Sequence, residues 1–317
     1  MSSTSSWASF DTVFAFNPQY TLPPSTIRAI DKSRRILGQL FFDRLLRVLR
    51  VEDAPYPPRT NTDLRTLHAA ITAAPLPEHH RQALLFYILR HCGSDDSAEA
   101  LASAFRDTVA LPQGYVVCML GFWHLDRGAY DRGVEYLTMP ALIPTFADEI
   151  LAVLLQDPKD AALAHGYALA VEPPLRDSEL KRKYFGMLAR TAVPEALFFA
   201  RTQPAETRRG MVCALIAAVI GEGEDVPGAE MAGAERADRA KRALELVDLP
   251  LDQLEEEWFE EYLQGEGRGL KRAGDALMMR RISLGRVGEV RRDGTWGEIL
   301  EGLAKGKGPR AGVVWAE

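Results

Sequence analysis

Cysteine is scarce in this sequence. The three present, Cys92, Cys118 and Cys213, are too few and too scattered for a disulfide framework or a zinc ribbon. Cys118 and Cys213 lie in apolar runs and read as buried small hydrophobes of a reducing compartment. Long apolar runs are missing as well. The longest, Met211 to Ile220, is half the ~20 residues of a membrane span, so it reads as a buried core helix and no transmembrane segment is expected. No basic residue precedes Arg28, and the Ser-rich start has no apolar stretch, so neither a secretory leader nor a transit peptide is expected. Excess positive charge is lacking too. The 38 basic and 44 acidic residues leave a net charge of −6, which excludes a chain that works by wholesale phosphate neutralisation. What remains is ordinary globular material, 47% hydrophobic and 26% charged, enough to build a core. The 317 residues allow one large domain or two ordinary ones at roughly 100–200 residues each.

Enzyme signatures are absent from the sequence. It contains no phosphate-cradling loop ending in Lys-Ser/Thr, no Gly-x-Ser-x-Gly elbow, no His-Glu-x-x-His and no Cys-x-x-Cys. The pair His79-His80 opens a helix after Pro77, where neighbouring side chains diverge by about 100° and cannot chelate one ion alone. His124 and His165 fall in helical runs and read as hydrogen-bonded structural residues. Asp148 and Glu149 could be taken for a catalytic carboxylate pair. The string Thr145-Phe-Ala-Asp148 instead has the form of a capping box, which predicts that Thr145 caps a helix and that the acids face its positive end. No cofactor or metal is expected.

The prevailing pattern is helical. Ile36, Leu37, Leu40, Phe41, Leu45, Leu46 and Leu49 form one apolar face of a 3.6-residue period, predicting a long helix closed by Pro55, Pro57 and Pro58. The same period returns at Leu84, Leu85, Ile88 and Leu89, and at Phe146, Ile150, Leu151, Leu154 and Leu155. Prolines and glycines such as Pro75, Pro77, Gly93, Pro112, Gly128, Pro140, Pro158, Pro194 and Pro204 cut the chain into short helices. The prediction is an all-α fold, an irregular solenoid-like stack of antiparallel helices. The stretch Gly221 to Gly233 reads as a loop, and Lys305-Gly-Lys-Gly-Pro-Arg310 as a flexible basic tail. That tail is loosely similar to an AT-hook core, but lysines replace both arginines and a glycine precedes the proline, so direct DNA binding is not expected. The aromatic segment Trp7, Phe10, Phe14, Phe16 and Tyr20 reads as folding back over its own helices or docking on a partner.

A resemblance enters at Trp123. The string Trp123-His-Leu-Asp126-Arg-Gly128-Ala-Tyr130, followed by Leu137-Thr138-Met-Pro140 and Pro144-Thr-Phe146-Ala-Asp148-Glu-Ile, reads as a helix, a stop, a short helix, a break and a third helix. Trp123, Leu125, Tyr130, Tyr136 and Leu137 are the expected core of that corner. The string resembles the helical domain of the ELYS family of nuclear pore proteins, especially its short fungal members. Phe41-Phe-Asp43-Arg-Leu-Leu46, Tyr56-Pro-Pro58, Ala192-Val-Pro-Glu195 and Ala276-Leu-Met278 extend the likeness over about residues 10 to 292.

The resemblance implies a non-enzymatic structural subunit of the Y-shaped outer-ring scaffold of the nuclear pore complex, in the nucleus at the nuclear envelope. The partners it implies are other nucleoporins, a short-arm propeller-and-helix subunit and a small WD-repeat subunit. Its structural signature would be Trp123, Asp126, Gly128, Tyr130, Leu137, Thr138, Pro140, Pro144, Phe146 and Asp148. The alternative from the residues themselves is another helical adaptor, such as a tetratricopeptide-like binder, although no 34-residue period is present. Three parts are expected: the aromatic segment 1–26, the helical domain 27–292, and a C-terminal helix with its basic tail, 293–317.

Overall fold

The computed structural model of the chain describes residues 6–51, 54–93, 95–221, 233–290 and 294–305. The basic tail beyond Lys305, residues 222–232 of the loop expected at Gly221 to Gly233, and the pair Arg291-Arg292 lie outside the described residues; Gly221 ends one helix and Gly233 starts another. The fold is all-α, with seventeen α-helices and no strand among the described residues. No described helix is long and apolar enough to cross a membrane. Contacts divide the chain into two compact units, Met1–Pro174 and Leu175–Glu317.

The first unit holds α1 (Phe10–Val13), α2 (Pro24–Leu37), α3 (Phe41–Val48), α4 (Asn61–Ala73), α5 (Glu78–Leu89), α6 (Asp95–Val109), α7 (Gln113–Asp126), α8 (Tyr130–Leu137), α9 (Ala147–Leu154) and α10 (Ala161–Val171). Prolines restart helices as their missing N–H dictates: Pro77 and Pro112 stand immediately before α5 and α7. From Gln82 to Leu89 every side chain of α5 is buried, the mark of a helix packed on all sides. It packs against α4, α6 and α7. Gly121 lets α8 approach α7 closely, because a Cβ there would strike the Leu137 side chain.

The N-terminal aromatics fold back onto this unit. Trp7, Phe10 and Phe14 are buried, the Trp7 indole N–H donates to Glu78 Oε1 at 2.7 Å, and Phe10 meets His68 edge-on at 5.6 Å. Phe16 alone of the phenylalanines in that segment is exposed.

Two local expectations are corrected here. The long helix through Ile36 and Leu49 is two helices, α2 and α3. Gly38 adopts φ +70°, a conformation that ends α2, and the Asp43 carboxylate accepts from the Leu40 N–H as α3 begins. Ile36 therefore leaves the apolar face and is 58% exposed. Cys118 and Cys213 are only half-buried, while Cys92 is the buried thiol. An apolar neighbourhood in sequence did not fix which face of α7 or of the later helix each thiol would take.

The second unit holds α11 (Ser178–Thr191), α12 (Val193–Arg201), α13 (Ala205–Gly221), α14 (Gly233–Val247), α15 (Gln253–Gln264), α16 (Ala273–Ser283) and α17 (Gly294–Ala304). Its centre is α13, which packs against α11, α12, α14 and α15. The apolar run inside it buries Val212, Leu215, Ile216, Val219 and Ile220, as a core helix should.

Candidate functional site

The signature string builds a corner in the first unit. Helix α7 ends at Asp126, the chain turns through Gly128 at φ +77°, and α8 starts at Tyr130. The Asp126 side chain reaches the start of α3. Its Oδ1 accepts from the Phe41 N–H at 2.7 Å, and its Oδ2 from the Phe42 N–H at 3.0 Å and the Tyr87 hydroxyl at 2.8 Å. The first N–H groups of a helix have no partner within it, so a carboxylate from another helix satisfies them and suits the positive end of the dipole. One buried side chain thus ties α7 to α3 and α5.

Aromatic rings close around that carboxylate. Phe42 stacks on Tyr87 at 4.0 Å, Phe41 on Phe122 at 5.7 Å, and Phe146 stands 5.8 Å from Phe122. Burial pushes the Asp126 carboxyl up to about 7, against the pull of its three hydrogen bonds. Burial also raises the Tyr56 and Tyr87 phenols well above their ordinary value, with Asp126 adding to both. His91 is held down to about 3 by burial, then by Arg127 and Arg90, so it is a neutral imidazole. Its Nε2 lies 3.4 Å from the Tyr56 hydroxyl. A cavity of about 310 Å³ adjoins these groups, lined by Ser25, Thr26 and Ser33 of α2 and by Tyr56, His91 and Arg127. Arg90 and Arg127 stand 4.5 and 4.3 Å from the Trp123 ring centre.

Chemically, the cluster fastens. The carboxylate accepts from three neutral donors, and the imidazole is uncharged. His79 and His80 have separate partners, Gln82 and the Tyr115 hydroxyl. Among the described residues no three metal-ligating side chains converge.

The structure places the signature residues unequally. Trp123, Asp126 and Leu137 are buried, whereas Tyr130 is half-buried; Tyr136, expected in the core of the corner, is half-buried too and stacks on His124 at 5.6 Å. Thr138 donates from its hydroxyl to the Val134 carbonyl at 2.8 Å, closing α8. Pro140 and Pro144 are exposed in the connection to α9. Asp148 and Glu149 occupy the first turn of α9, as expected, but Thr145 does not cap it. The N-cap is Phe146 at φ +57°, without a side-chain cap, and the Thr145 hydroxyl donates to the Ile143 carbonyl at 3.3 Å. The left-handed turn moves the start one residue on and turns the threonine out.

A second buried carboxylate was not anticipated. Glu255 of α15 is the first of three consecutive glutamates, yet it is 0% exposed. Arg201 of α12 donates to it through Nε at 3.0 Å and Nη2 at 2.6 Å, and Arg208 of α13 also pairs with it. Burial opposes its ionisation, but the two guanidinia and the Asp252 N–H prevail and hold its carboxyl down to about 2. Nearby, Arg280 pairs with Glu256 and donates to the Leu249 carbonyl at 2.8 Å. The one signal in the sequence was a lone period position: Glu255, Phe259 and Leu263 share a face of α15, and all three are buried.

Comparison with known proteins places both centres inside one family region. The ELYS family model, described as nuclear pore complex assembly, matches residues 39–266. A protein of the fission yeast Schizosaccharomyces pombe, "Uncharacterized protein ely5", is 29% identical over 168 residues. That match covers 52% of this chain and 52% of the relative, so the likeness spans about half the length of each.

Proposed function

This chain belongs to the ELYS family of nuclear pore complex assembly, and from that premise we propose that it is a non-enzymatic structural subunit of the pore's outer-ring, Y-shaped scaffold. In this reading it binds other nucleoporins, a short-arm propeller-and-helix subunit and a small WD-repeat subunit, and resides at the pore in the nuclear envelope. The observation that carries the reading is the family match over residues 39–266, which takes in both buried carboxylate centres. Support comes from the chemistry of those centres. Asp126 and Glu255 spend their lone pairs joining helices, which is what a rigid binding surface needs. The signature residues from Trp123 to Asp148 then hold the corner and do not touch a substrate. The helical domain runs from 27 to 292, with the aromatic segment 1–26 before it and 293–317 after it.

The test is affinity purification of the tagged full chain from cells, with cross-linking and mass spectrometry, beside imaging of the nuclear rim. Cross-links to outer-ring nucleoporins and a rim signal are the expected result. Purification without any outer-ring nucleoporin, or a diffuse signal, defeats the proposal.

A further inference from the structure

Charge on α2 and α3 runs against the rest of the chain. From Arg28 to Arg50 there are seven basic residues and two acidic ones, in a protein of net charge −6; Glu52 and Asp53 follow. Both acids within that stretch are engaged locally. Asp43 takes Arg34 at 2.8 Å, and Asp31 takes Arg59 at 2.9 Å. Along the outer face of α2, Arg28, Lys32 and Arg35 are exposed at spacings of four and three residues, so like charges stand one turn apart. That arrangement works against the helix carrying it. A surface that breaks a local rule is where a binding role is to be sought. Exposed aliphatics are interleaved with the cations: Ile36 at 58% and Val48 at 65%, beside exposed Arg47 and Arg50. A groove of about 420 Å³ adjoins the turn between the two helices, lined by Arg34, Gly38, Gln39, Asp43, Leu46 and Arg47.

We propose that the exposed face of α2 carrying Arg28, Lys32, Arg35 and Ile36 binds an acidic, aliphatic-containing segment of a partner protein. Cations alternating with single aliphatic side chains complement carboxylates alternating with Leu-like side chains. Nucleic acid fits less well. The aromatic side chains of these two helices, Phe41 and Phe42, are 0% exposed and offer no stacking platform. An anionic membrane fits less well too, since two separate aliphatics give little area to insert. The proposal rests on reading the chain as a binding subunit and names the chemistry of one partner.

The experiment titrates the purified full chain against a fluorescein-labelled peptide of Glu-Leu-Glu-Glu repeats. An all-Glu peptide, a duplex DNA oligonucleotide and phosphatidylserine vesicles run in parallel. Triple reversal Arg28→Glu, Lys32→Glu, Arg35→Glu is expected to weaken the Glu-Leu peptide roughly tenfold or more. Ile36→Ser is expected to weaken that peptide and leave the all-Glu peptide unchanged. If the reversal lowers the melting temperature, the neutral triple Arg28→Gln, Lys32→Gln, Arg35→Gln carries the comparison, with a smaller loss expected. Peptide binding that persists in a chain absent from the nuclear rim would defeat the pore assignment and leave this proposal standing. Peptide affinity within twofold in the charge variants, or tighter binding of DNA or vesicles through the same residues, overturns it.

Discussion

Each unit of this protein buries a carboxylate, and the two carboxylates are shifted in opposite directions. Asp126 accepts from two backbone N–H groups and a phenol, all neutral, and burial lifts it to about 7. Glu255 accepts from two guanidinia as well as a backbone N–H, and it falls to about 2 despite lying 0% exposed. Hydrogen bonds to neutral donors offset only part of the cost of desolvating a charge, whereas full counter-charges reverse it. The same residue class therefore does the same job, joining helices, under opposite electrostatic terms. In the first unit the join is local dipole against carboxylate; in the second it is an ion network that also draws in Asp252.

The largest test of that contrast is Asp126→Ala. It strips three buried donors of their acceptor at once, at ~1–3 kcal/mol for each unsatisfied group, less whatever water from the adjoining cavity restores. A loss of about 4 kcal/mol in urea denaturation is expected. Glu255→Gln should cost somewhat less, about 3 kcal/mol, because Arg201 and Arg208 keep 27% and 24% side-chain exposure and can turn to water. A glutamine variant that proves the more damaging would mean that the two guanidinia hold the fold more than the neutral donors do.

Acidity separates the two centres more sharply. The folded Asp126 carboxyl titrates near 7, above its ordinary 3.8, so the folded state holds the proton more tightly than the unfolded one. Its stabilising contribution is full below pH 3.8 and is lost as pH rises to 7. Glu255 lies below its ordinary 4.5, so its contribution is full above 4.5 and is lost as pH falls towards 2. Between pH 5 and 7.5 only the first varies. The stability difference between wild type and Asp126→Asn should shrink over that range by about 2–3 kcal/mol, and that between wild type and Glu255→Gln should stay flat. Paired denaturation curves at the two pH values decide it, and a flat Asp126→Asn difference breaks the contrast.

These two centres were not equally legible from the sequence. Periodicity and proline spacing were enough for an all-α fold, and Trp123 and Asp126 stood out in a recognisable string. The partners of Asp126 could not be read, since Phe41 and Phe42 contribute backbone N–H groups 85 and 84 positions away. Glu255 was hidden among acidic neighbours. Its burial depends on Arg201 and Arg208, 54 and 47 positions distant, and no local rule links an arginine to one of three consecutive glutamates. Gly38 was legible as a glycine but not as a stop, because the apolar face continued across it in register.

The smallest effects test where local pattern fails. Asp252 caps α15 through a reciprocal pair of bonds: its Oδ1 accepts from the Glu255 N–H at 2.9 Å, while Glu255 Oε2 accepts from the Asp252 N–H at 2.9 Å. Asp252→Ala should cost about 1–2 kcal/mol, the range of a lost N-cap. Thr145 heads a string of the same form before α9, yet the residue is exposed and its hydroxyl donates to the Ile143 carbonyl. Thr145→Ala should therefore change stability by less than about 0.5 kcal/mol. The two substitutions compare one sequence pattern in two backbone settings. Asp252 is itself extended, and its carboxylate accepts from the first turn of the helix; Phe146 lies in the left-handed region, and the Thr145 hydroxyl bonds away from the helix. A loss near 1 kcal/mol for Thr145→Ala would mean that the pattern caps α9 after all, and that Phe146 does not set where the helix begins.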